Sequence, residues 1–171
     1  MIKFGIFFII SILLLFFTVL RSQRYRFYRF FAFESLLILV LLNSDQWFDD
    51  PISFIQLISW FFLFISLILA VHGFMILKTG GSPKKDIEDT TELVVAGAYK
   101  YIRHPLYCSL FLAGIGAFLK DPNIYALLLL LLLFIFVFLT AKFEERDNLL
   151  KFGSAYREYM EKTKMFIPLL V

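Results

Sequence analysis

Long apolar stretches, separated by short polar segments, dominate the chain. A bilayer core about 30 Å thick takes about 20 apolar residues as a helix, and a helix satisfies its own backbone hydrogen bonds in lipid. Five stretches are predicted to be such helices: 4–20, 27–42, 52–77, 106–119 and 124–143. The third is long enough to tilt, and the fourth is short for a full crossing. The pattern therefore predicts an all-α integral membrane protein with about five transmembrane helices.

Two further features complete the predicted architecture. The fourth and fifth spans form a helical hairpin around a turn of Lys120, Asp121, Pro122 and Asn123. A cytoplasmic amphipathic C-terminal helix is predicted from the helical spacing of Leu149, Phe152, Tyr156 and Tyr159. We expect one membrane-embedded domain, 1–171, divided into three N-terminal spans (1–77), a cytoplasmic loop (78–105), the hairpin (106–143) and a tail (144–171).

Composition and charge place most of the surface in lipid and orient it. The 171 residues are 60% hydrophobic and include 23 Phe, which leaves too few polar residues for the shell of a soluble domain. Five spans would put 15 of the 17 Lys and Arg residues on one side, which the positive-inside rule makes the cytoplasm. The first stretch ends in an arginine cluster and has no small-residue cleavage site, so we interpret it as a helix and not as a cleaved signal. We expect a protein of a prokaryotic inner membrane, with its N-terminus outside and its C-terminus in the cytoplasm.

Candidate chemistry lies on the predicted cytoplasmic side, first in segment 91–107, which reads T-E-L-V-V-A-G-A-Y-K-Y-I-R-H-P-L-Y. Pro105 suits the first turn of a helix, where a missing N–H costs nothing. Arg103 and His104 precede that helix and Tyr107 lies in its first turn. The helix N-terminus favours an anionic ligand group, and His104 can donate or accept a hydrogen bond near neutral pH. The alternative is a basic, aromatic belt that anchors the helix at the interface.

The second candidate is the acidic pair Glu144 and Glu145, where the fifth span leaves the membrane. Adjacent residues point about 100° apart on a helix, and acids at this position cannot simply face lipid. They could accept hydrogen bonds from ribose hydroxyls or from an ammonium group. The alternative is a solvated helix end in which the acids pair with Lys142 or Arg146.

Together the two segments resemble the isoprenylcysteine carboxyl methyltransferase family and its relatives among membrane phospholipid methyltransferases. The family pattern is similar to L-V-x-x-G-x-Y-x-x-[VI]-R-H-P-x-Y, followed after the next span by E-E-x(6)-F-G-x-x-Y-x-x-Y and a short I-P or L-P. The first part is matched by Leu93, Val94, Gly97, Tyr99, Arg103, His104, Pro105 and Tyr107. The second part is matched by Glu144, Glu145, Phe152, Gly153, Tyr156, Tyr159, Ile167 and Pro168.

The resemblance implies S-adenosylmethionine as cofactor, with S-adenosylhomocysteine as product, bound at the cytoplasmic membrane surface. It assigns cofactor contacts to His104, Tyr107, Glu144 and Glu145, backbone contacts at the adenine end to Leu93 and Val94, and parts of the same pocket to Gly97 and Tyr99. Arg103, Glu145 and Lys162 are the implied catalytic residues, with Arg103 facing the polar head of the substrate or shaping the pocket. Lys162 is the nearest match to an arginine in the tail of some relatives, although the two side chains differ in geometry.

Several other residues leave alternatives open. Glu34, inside the second span, either pairs with an arginine of the 21–29 cluster or lines the substrate pocket. His72 is interpreted as a packing residue or a pocket contact, and Cys108 as a packing residue more than a nucleophile. Segment 78–92 is a linker or a lid. With His72 and His104 as the only histidines, the sequence holds no metal-ligand cluster.

The methyl acceptor is left open by the sequence. An isoprenylcysteine-like carboxylate, a phospholipid amine, and another small lipophilic acid, amine or thiol all fit the resemblance. Competing readings are an NADPH-dependent reductase related to membrane sterol reductases and a non-enzymatic scaffold or transporter. The expected partners are a lipophilic substrate and membrane lipids, with no nucleic acid, and the oligomeric state is open.

Overall fold

The computed structural model describes residues 2–18, 26–82 and 90–167, and this part of the chain is mainly helical and forms no β-sheet. Its α-helices are α1 (Ile2–Thr18), α2 (Arg26–Leu42), α3 (Phe54–Gly80), α4 (Pro105–Phe118), α5 (Ile124–Phe152) and α6 (Ser154–Lys162). Two short 3₁₀ turns, Ser44–Gln46 and Gly97–Lys100, lie between them. The predicted all-α class is confirmed.

Local chemistry explains where the last three helices begin. Pro105 occupies the first turn of α4, as its fixed φ and missing N–H predict. The side chain of Asn123 caps α5 by accepting a hydrogen bond from the Ala126 amide at 3.0 Å. Gly153 has a φ of 58°, a conformation that glycine adopts without strain, and it separates α5 from α6.

The helices pack in two pairs, α3 with α4 and α2 with α5, and α4 also contacts α2 and α5. Most contacts of α1 are with α2, so α1 lies at the edge of the molecule. The main core lies between α2, α4, α5 and the C-terminal segment, and its buried members are Ala32, Tyr107, Leu133, Val137, Ala141, Met165 and Phe166. Many other apolar side chains of these helices are exposed, as expected for a surface that faces lipid.

Small and hydroxyl side chains hold α3 against α4. Ser59 donates a hydrogen bond to the Gly116 carbonyl at 2.7 Å, and Ser66 donates one to the Ser109 carbonyl at 2.8 Å. A Cβ on Gly116 would collide with Leu63 at 2.7 Å. Close approach through small residues and interhelical hydrogen bonds is the usual way in which helices associate in lipid. The close packing of α3 against α4 therefore explains why position 116 is a glycine, and no bound ligand is needed to explain it.

The end of the molecule farthest from Pro105 is tied together by a buried lysine. Lys120 is 3% exposed, and its Nζ lies 3.6 Å from the centroid of the Trp60 ring and 5.5 Å from that of Trp47. The same Nζ donates to Gln56 Oε1 at 3.0 Å, and the Gln56 amide donates back to the Lys120 carbonyl at 3.0 Å. The α4–α5 turn is thereby joined to the start of α3.

The predicted spans agree with α1 to α5 to within a few residues, with one informative difference. Helix α5 continues for 29 residues and carries Glu144 and Glu145 well inside the helix, past its apolar part. Two helices, Phe54–Gly80 and Ile124–Phe152, are long and apolar enough to cross a membrane, while Lys3–Phe16 and Pro105–Phe118 are apolar but shorter. Several predicted features lie outside the described residues: the end of the first span, the arginines at 21 and 24, residues 83–89 of the possible lid, and Pro168.

Candidate functional site

The site is built where the C-terminal segment returns to the start of α4. After α6, Lys164 forms an isolated parallel bridge with Ile102. The Arg103 amide donates to the Lys164 carbonyl at 2.8 Å, and the His104 amide donates to the Met165 carbonyl at 3.1 Å. These bonds satisfy backbone groups that precede a helix, and they bring the tail beside the acidic end of α5.

At the centre of the site, His104 lies between the two acids. Its Nδ1 is 3.5 Å from a carboxylate oxygen of Glu144, and its Nε2 is 3.6 Å from one of Glu145. All three residues are buried. Nε2 makes no hydrogen bond in the described structure, although the carboxylate of Glu145 faces it. The ring of Tyr107 stacks on the imidazole with 5.5 Å between centroids.

Arg103 ties one of these acids to the tail. Its Nε donates to Glu145 Oε1 at 2.6 Å, and its Nη1 donates to the carbonyls of Met160 and Thr163 near the end of α6. Charge-assisted bonds of this kind are short and comparatively strong. The guanidinium therefore neutralises Glu145 and at the same time satisfies carbonyls at a helix C-terminus.

The other acid is approached by Arg29, a residue in the first turn of α2 that we did not predict as part of the site. Its Nη2 donates to the Tyr107 hydroxyl at 2.9 Å and lies 3.7 Å from Glu144 Oε1. An acid pair on one helix calls for cations nearby, but four arginines lie between 21 and 29 and the sequence does not say which one turns inward.

Charge pairing overcomes burial in this cluster. Burial raises the pKa of Glu144, but His104, Arg29 and Tyr107 together lower it below the ordinary value of 4.5. Burial likewise raises the pKa of Glu145, but His104 and Arg103 lower it by more. The pKa of Glu145 therefore also lies below 4.5. Burial lowers the pKa of His104, and the two carboxylates raise it above 6.5. The charges of this cluster therefore favour ionised carboxylates and a protonated imidazole.

A cavity of about 70 Å³ opens beside this cluster. Its walls combine the end of α3, the 90–99 segment, the start of α4, the end of α5 and α6. The polar lining residues include Arg103, His104, Tyr107, Glu144, Asn148 and Tyr156. The apolar lining residues are Leu77, Leu93, Val94, Leu106 and Phe152. One wall is thus charged and the other is suited to an apolar or aromatic group.

Tyr156 and Tyr159 close the α6 side of the cavity. The hydroxyl of Tyr159 donates to the Tyr99 carbonyl at 2.6 Å, which fixes the 3₁₀ turn against α6. Burial raises the pKa of Tyr156 to about 12 and that of Tyr159 higher still, so both phenols stay protonated. Both residues match the resemblance noted in the sequence.

The structure brings most of the predicted site residues together. Leu93, Val94, Tyr99, Arg103, His104, Tyr107 and Glu144 all line the cavity, and Glu145 lies directly behind His104. Gly97 packs elsewhere: it has a φ of 53°, and a Cβ there would collide with His72 and Ile76 of α3. Lys162 lies at the exposed end of α6 and does not line the cavity.

The residues with open alternatives also have positions in the structure. Glu34 is buried at the α1–α2 contact and accepts a hydrogen bond from Ser11 at 3.0 Å, whereas Arg29 reaches Tyr107 and Glu144. His72 is exposed on α3 and faces Gly97. Cys108 is half-buried in α4 and does not line the cavity.

Comparison with known proteins identifies the family. The phospholipid methyltransferase profile matches residues 54–153, which include the start of α4 and the acidic pair. The chain belongs to the phospholipid methyltransferase family. A 74-residue stretch is also 35% identical to methanethiol S-methyltransferase 2 of Bradyrhizobium diazoefficiens, and this alignment spans 42% of the chain and 27% of that relative. The resemblance drawn from the sequence motifs is confirmed at the level of the family.

Family membership gives the buried cluster a chemical meaning. The family and the named relative are methyltransferases, so the reaction requires a methyl donor. Together with the two long apolar helices, the family also indicates a membrane protein. Within the described residues there is no group of His, Cys, Asp and Glu side chains that could hold a metal ion.

Proposed function

We propose that the protein is an integral membrane methyltransferase that uses S-adenosylmethionine to methylate a small lipophilic acceptor. The observation that carries this proposal is the buried Glu144–His104–Glu145 cluster, which opens into a cavity with one charged and one apolar wall. S-adenosylmethionine supplies an electrophilic methyl group on a positively charged sulphur. An acidic, aromatic wall suits such a cation, and the apolar wall suits an adenine ring.

The residues present fit this cofactor in chemistry, and the cavity must widen to take it. The carboxylate of Glu144 and the protonated phenol of Tyr156, which both line the cavity, offer an acceptor and a donor to a polar ligand. A pocket for a ligand of nucleoside size holds roughly 300 Å³ or more, against about 70 Å³ here. The 90–94 segment forms one rim, so its displacement is the simplest route to binding.

The chain's own contribution to the reaction would be alignment and exclusion of water. Tyr107, stacked on His104, fixes the imidazole plane. Arg103 and the Lys164 bridge hold the tail against the site, which shields the cavity from solvent on that side. We propose Arg103 and Glu145 as a pair that shapes this wall. No contact in the described structure supports a direct role for the exposed Lys162.

Protonation states restrict the acceptor. Because their pKa values are lowered, the carboxylates of Glu144 and Glu145 are weak bases. The acceptor should therefore arrive deprotonated, as a carboxylate does, or react through the minor thiolate fraction of a thiol and release its proton to solvent. A thiol acceptor is also the chemistry in the name of the relative from Bradyrhizobium diazoefficiens. We accordingly propose a small lipophilic thiol or acid before a phospholipid amine.

The location of the site is part of the proposal. Lys3, Asp45 and Lys120 lie at one end of the helices, and the Arg29, His104 and Glu144 cluster lies at the other. We propose a five-span topology in which the cluster faces the cytoplasm of a prokaryotic cell. A polar cofactor then enters from the cytoplasm and an apolar acceptor from the bilayer.

Calorimetric titration of the purified protein with S-adenosylmethionine and with NADPH tests the function. We expect saturable binding of S-adenosylmethionine that weakens about tenfold or more in Glu144→Gln, because a charged hydrogen-bond partner is lost. Glu158→Gln, the same change on the outside of α6, is the matched control and should bind normally. Binding of NADPH alone would indicate a reductase, and binding of neither would indicate a scaffold. Transfer of a labelled methyl group to alkanethiols, lipophilic acids or phosphatidylethanolamine then identifies the acceptor.

A further inference from the structure

Helix α2 contributes a charged side chain to the site although it lies outside the matched region. Family similarity covers residues 54–153, whereas Arg29 is in the first turn of α2. Its side chain is only 12% exposed, and three residues further along the helix Ala32 is fully packed in the main core. A long cation is rarely so buried unless it has partners.

Those partners form a triangle. Arg29 donates from Nη2 to the Tyr107 hydroxyl at 2.9 Å, and the same nitrogen lies 3.7 Å from Glu144. The Tyr107 hydroxyl in turn hydrogen-bonds to Glu144. The guanidinium carbon also lies 5.9 Å from the centre of the Tyr107 ring. Both partners line the cavity, whereas Arg29 does not.

We propose that Arg29 is a positioning residue of the methyltransferase site, which holds the Tyr107 hydroxyl and keeps Glu144 ionised. The inference rests on the proposed function. It assigns α2 a part in ligand binding: a helix that precedes the matched residues 54–153 sets the state of a cavity wall that the matched residues build.

The charge arrangement explains why a second arginine is needed. Each acid has its own guanidinium, since Arg103 pairs with Glu145 and Arg29 with Glu144, and His104 is shared between the acids. Arg103 is also held by two tail carbonyls, and Arg29 is the arginine that approaches Glu144. Without Arg29, the buried carboxylate would keep Tyr107 and the shared imidazole but lose its own guanidinium.

The ionisation of Glu144 depends on every charged or titratable group that faces it. These groups are Arg29 of α2, His104 before α4, Tyr107 of α4, Glu145 of α5 itself and Tyr156 of α6. Removing the α2 cation leaves burial, which favours the protonated acid, opposed by fewer partners. The pKa of Glu144 should therefore rise, and ligand binding that needs the carboxylate should fail at a higher pH than in the wild type.

Arg29→Lys separates charge from geometry. A lysine restores a positive charge near Glu144, but its ammonium has a shorter reach and lacks the guanidinium plane that lies near the Tyr107 ring. We expect Arg29→Lys to return the pH midpoint towards that of the wild type while the affinity for S-adenosylmethionine stays reduced.

The test is calorimetric titration of the full-length protein with S-adenosylmethionine between pH 5 and 8, in wild type, Arg29→Gln, Arg29→Lys and Arg146→Gln. Arg146 is exposed on α5, two residues from Glu144, so its replacement removes the same charge without the contacts. Arg29→Gln should bind about fivefold more weakly at pH 8, as expected for one lost hydrogen bond. At acidic pH, Arg29→Gln should lose further affinity for S-adenosylmethionine, whereas the wild type and Arg146→Gln should keep theirs.

Two failures are distinguishable. If the wild type does not bind S-adenosylmethionine at any pH, the proposed function is wrong and the role of Arg29 falls with it. If the wild type binds, but Arg29→Gln has the wild-type pH profile, or Arg146→Gln shifts it equally, the positioning role is overturned and the methyltransferase proposal stands. Circular dichroism spectra and thermal unfolding of each variant establish that it is folded.

Discussion

At the scale of single residues, the site shows how much a side chain's charge depends on its neighbours. Glu144 and Glu145 are buried, and burial alone would favour their protonated forms. They are ionised because His104 lies between them and each has an arginine on its other side. The two carboxylates in turn favour the protonated form of the imidazole, so the charges of the three groups depend on one another.

This mutual dependence predicts a pH-dependent stability. The folded-state pKa of His104 lies above its ordinary 6.5, so its contribution to stability is complete below pH 6.5 and is lost as pH rises through the folded-state pKa. The acids contribute above pH 4.5, and that contribution is lost as pH falls through their lowered folded-state pKa. In thermal unfolding from pH 6 to 9, we expect the Tm of the wild type to fall as pH rises. At pH 6 the unfolding free energy of His104→Gln should be lower than that of the wild type by about 1.5–3 kcal/mol. The Tm of this variant should also change less with pH. Parallel pH profiles for the two proteins would contradict this account.

At the scale of helices, polar side chains fix contacts that apolar packing leaves free to slide. Lipid tails are as apolar as leucine, so burying leucine does not by itself hold two helices together in a bilayer. The α3–α4 pair is held by Ser59 and Ser66, and α1 meets α2 through Ser11 and Glu34. At the far end, Lys120 joins the hairpin turn to α3.

Lys120→Met tests the lysine contact. The change keeps an unbranched apolar stem but removes the ammonium from the Trp60 ring and leaves Gln56 without its donor. A desolvated cation–π contact contributes up to about 2 kcal/mol, and a hydrogen bond about 1 kcal/mol. We therefore expect unfolding in detergent to require about 1–3 kcal/mol less. Lys100→Met is the matched control, because Lys100 is exposed and its Nζ lies 5.9 Å from the Tyr101 ring centroid. An equal loss in both variants would show that the contacts of Lys120 with Trp60 and Gln56 do not stabilise the fold.

At the scale of the whole molecule, the charges are separated between two ends. The site end carries Arg29, Arg103 and the tail, and the opposite end carries Lys3, Asp45 and Lys120. By the positive-inside rule we expect the basic end to face the cytoplasm. The proposed five spans would then place the two chain ends on opposite sides.

Labelling with a membrane-impermeant thiol reagent tests this orientation. In a Cys108→Ala background, Lys162→Cys lies at the site end and Asp49→Cys lies after α2 at the opposite end, and both positions are exposed. We expect the reagent to label Lys162→Cys only in inverted vesicles and Asp49→Cys only in intact cells or right-side-out vesicles. Labelling of both variants from the same side would rule out the five-span arrangement.

Much of the fold and part of the site could be predicted from residue patterns. Apolar periodicity, Pro105 and the hairpin turn placed the helices, because they act through neighbours along the chain. The motif residues His104, Tyr107 and Glu144 were identified and do meet at one cavity. Arg29 was missed, since its role depends on which way the first turn of α2 faces α5. The sequence also did not show that Gly97 packs against His72 and Ile76, because these neighbours are distant in sequence.

The sequence by itself determined the helical class, the approximate helix bounds, the excess of basic residues at one predicted side and the two motif segments that identify the family. These follow from hydrophobicity, turn chemistry and residue order, which are local properties. Three contacts could be recognised only from the packed helices: Arg103 holds the tail, Glu34 accepts a hydrogen bond from Ser11, and Arg29 pairs with Glu144. Contacts of that kind depend on how each helix is rotated about its axis, because this rotation determines which side chains face one another.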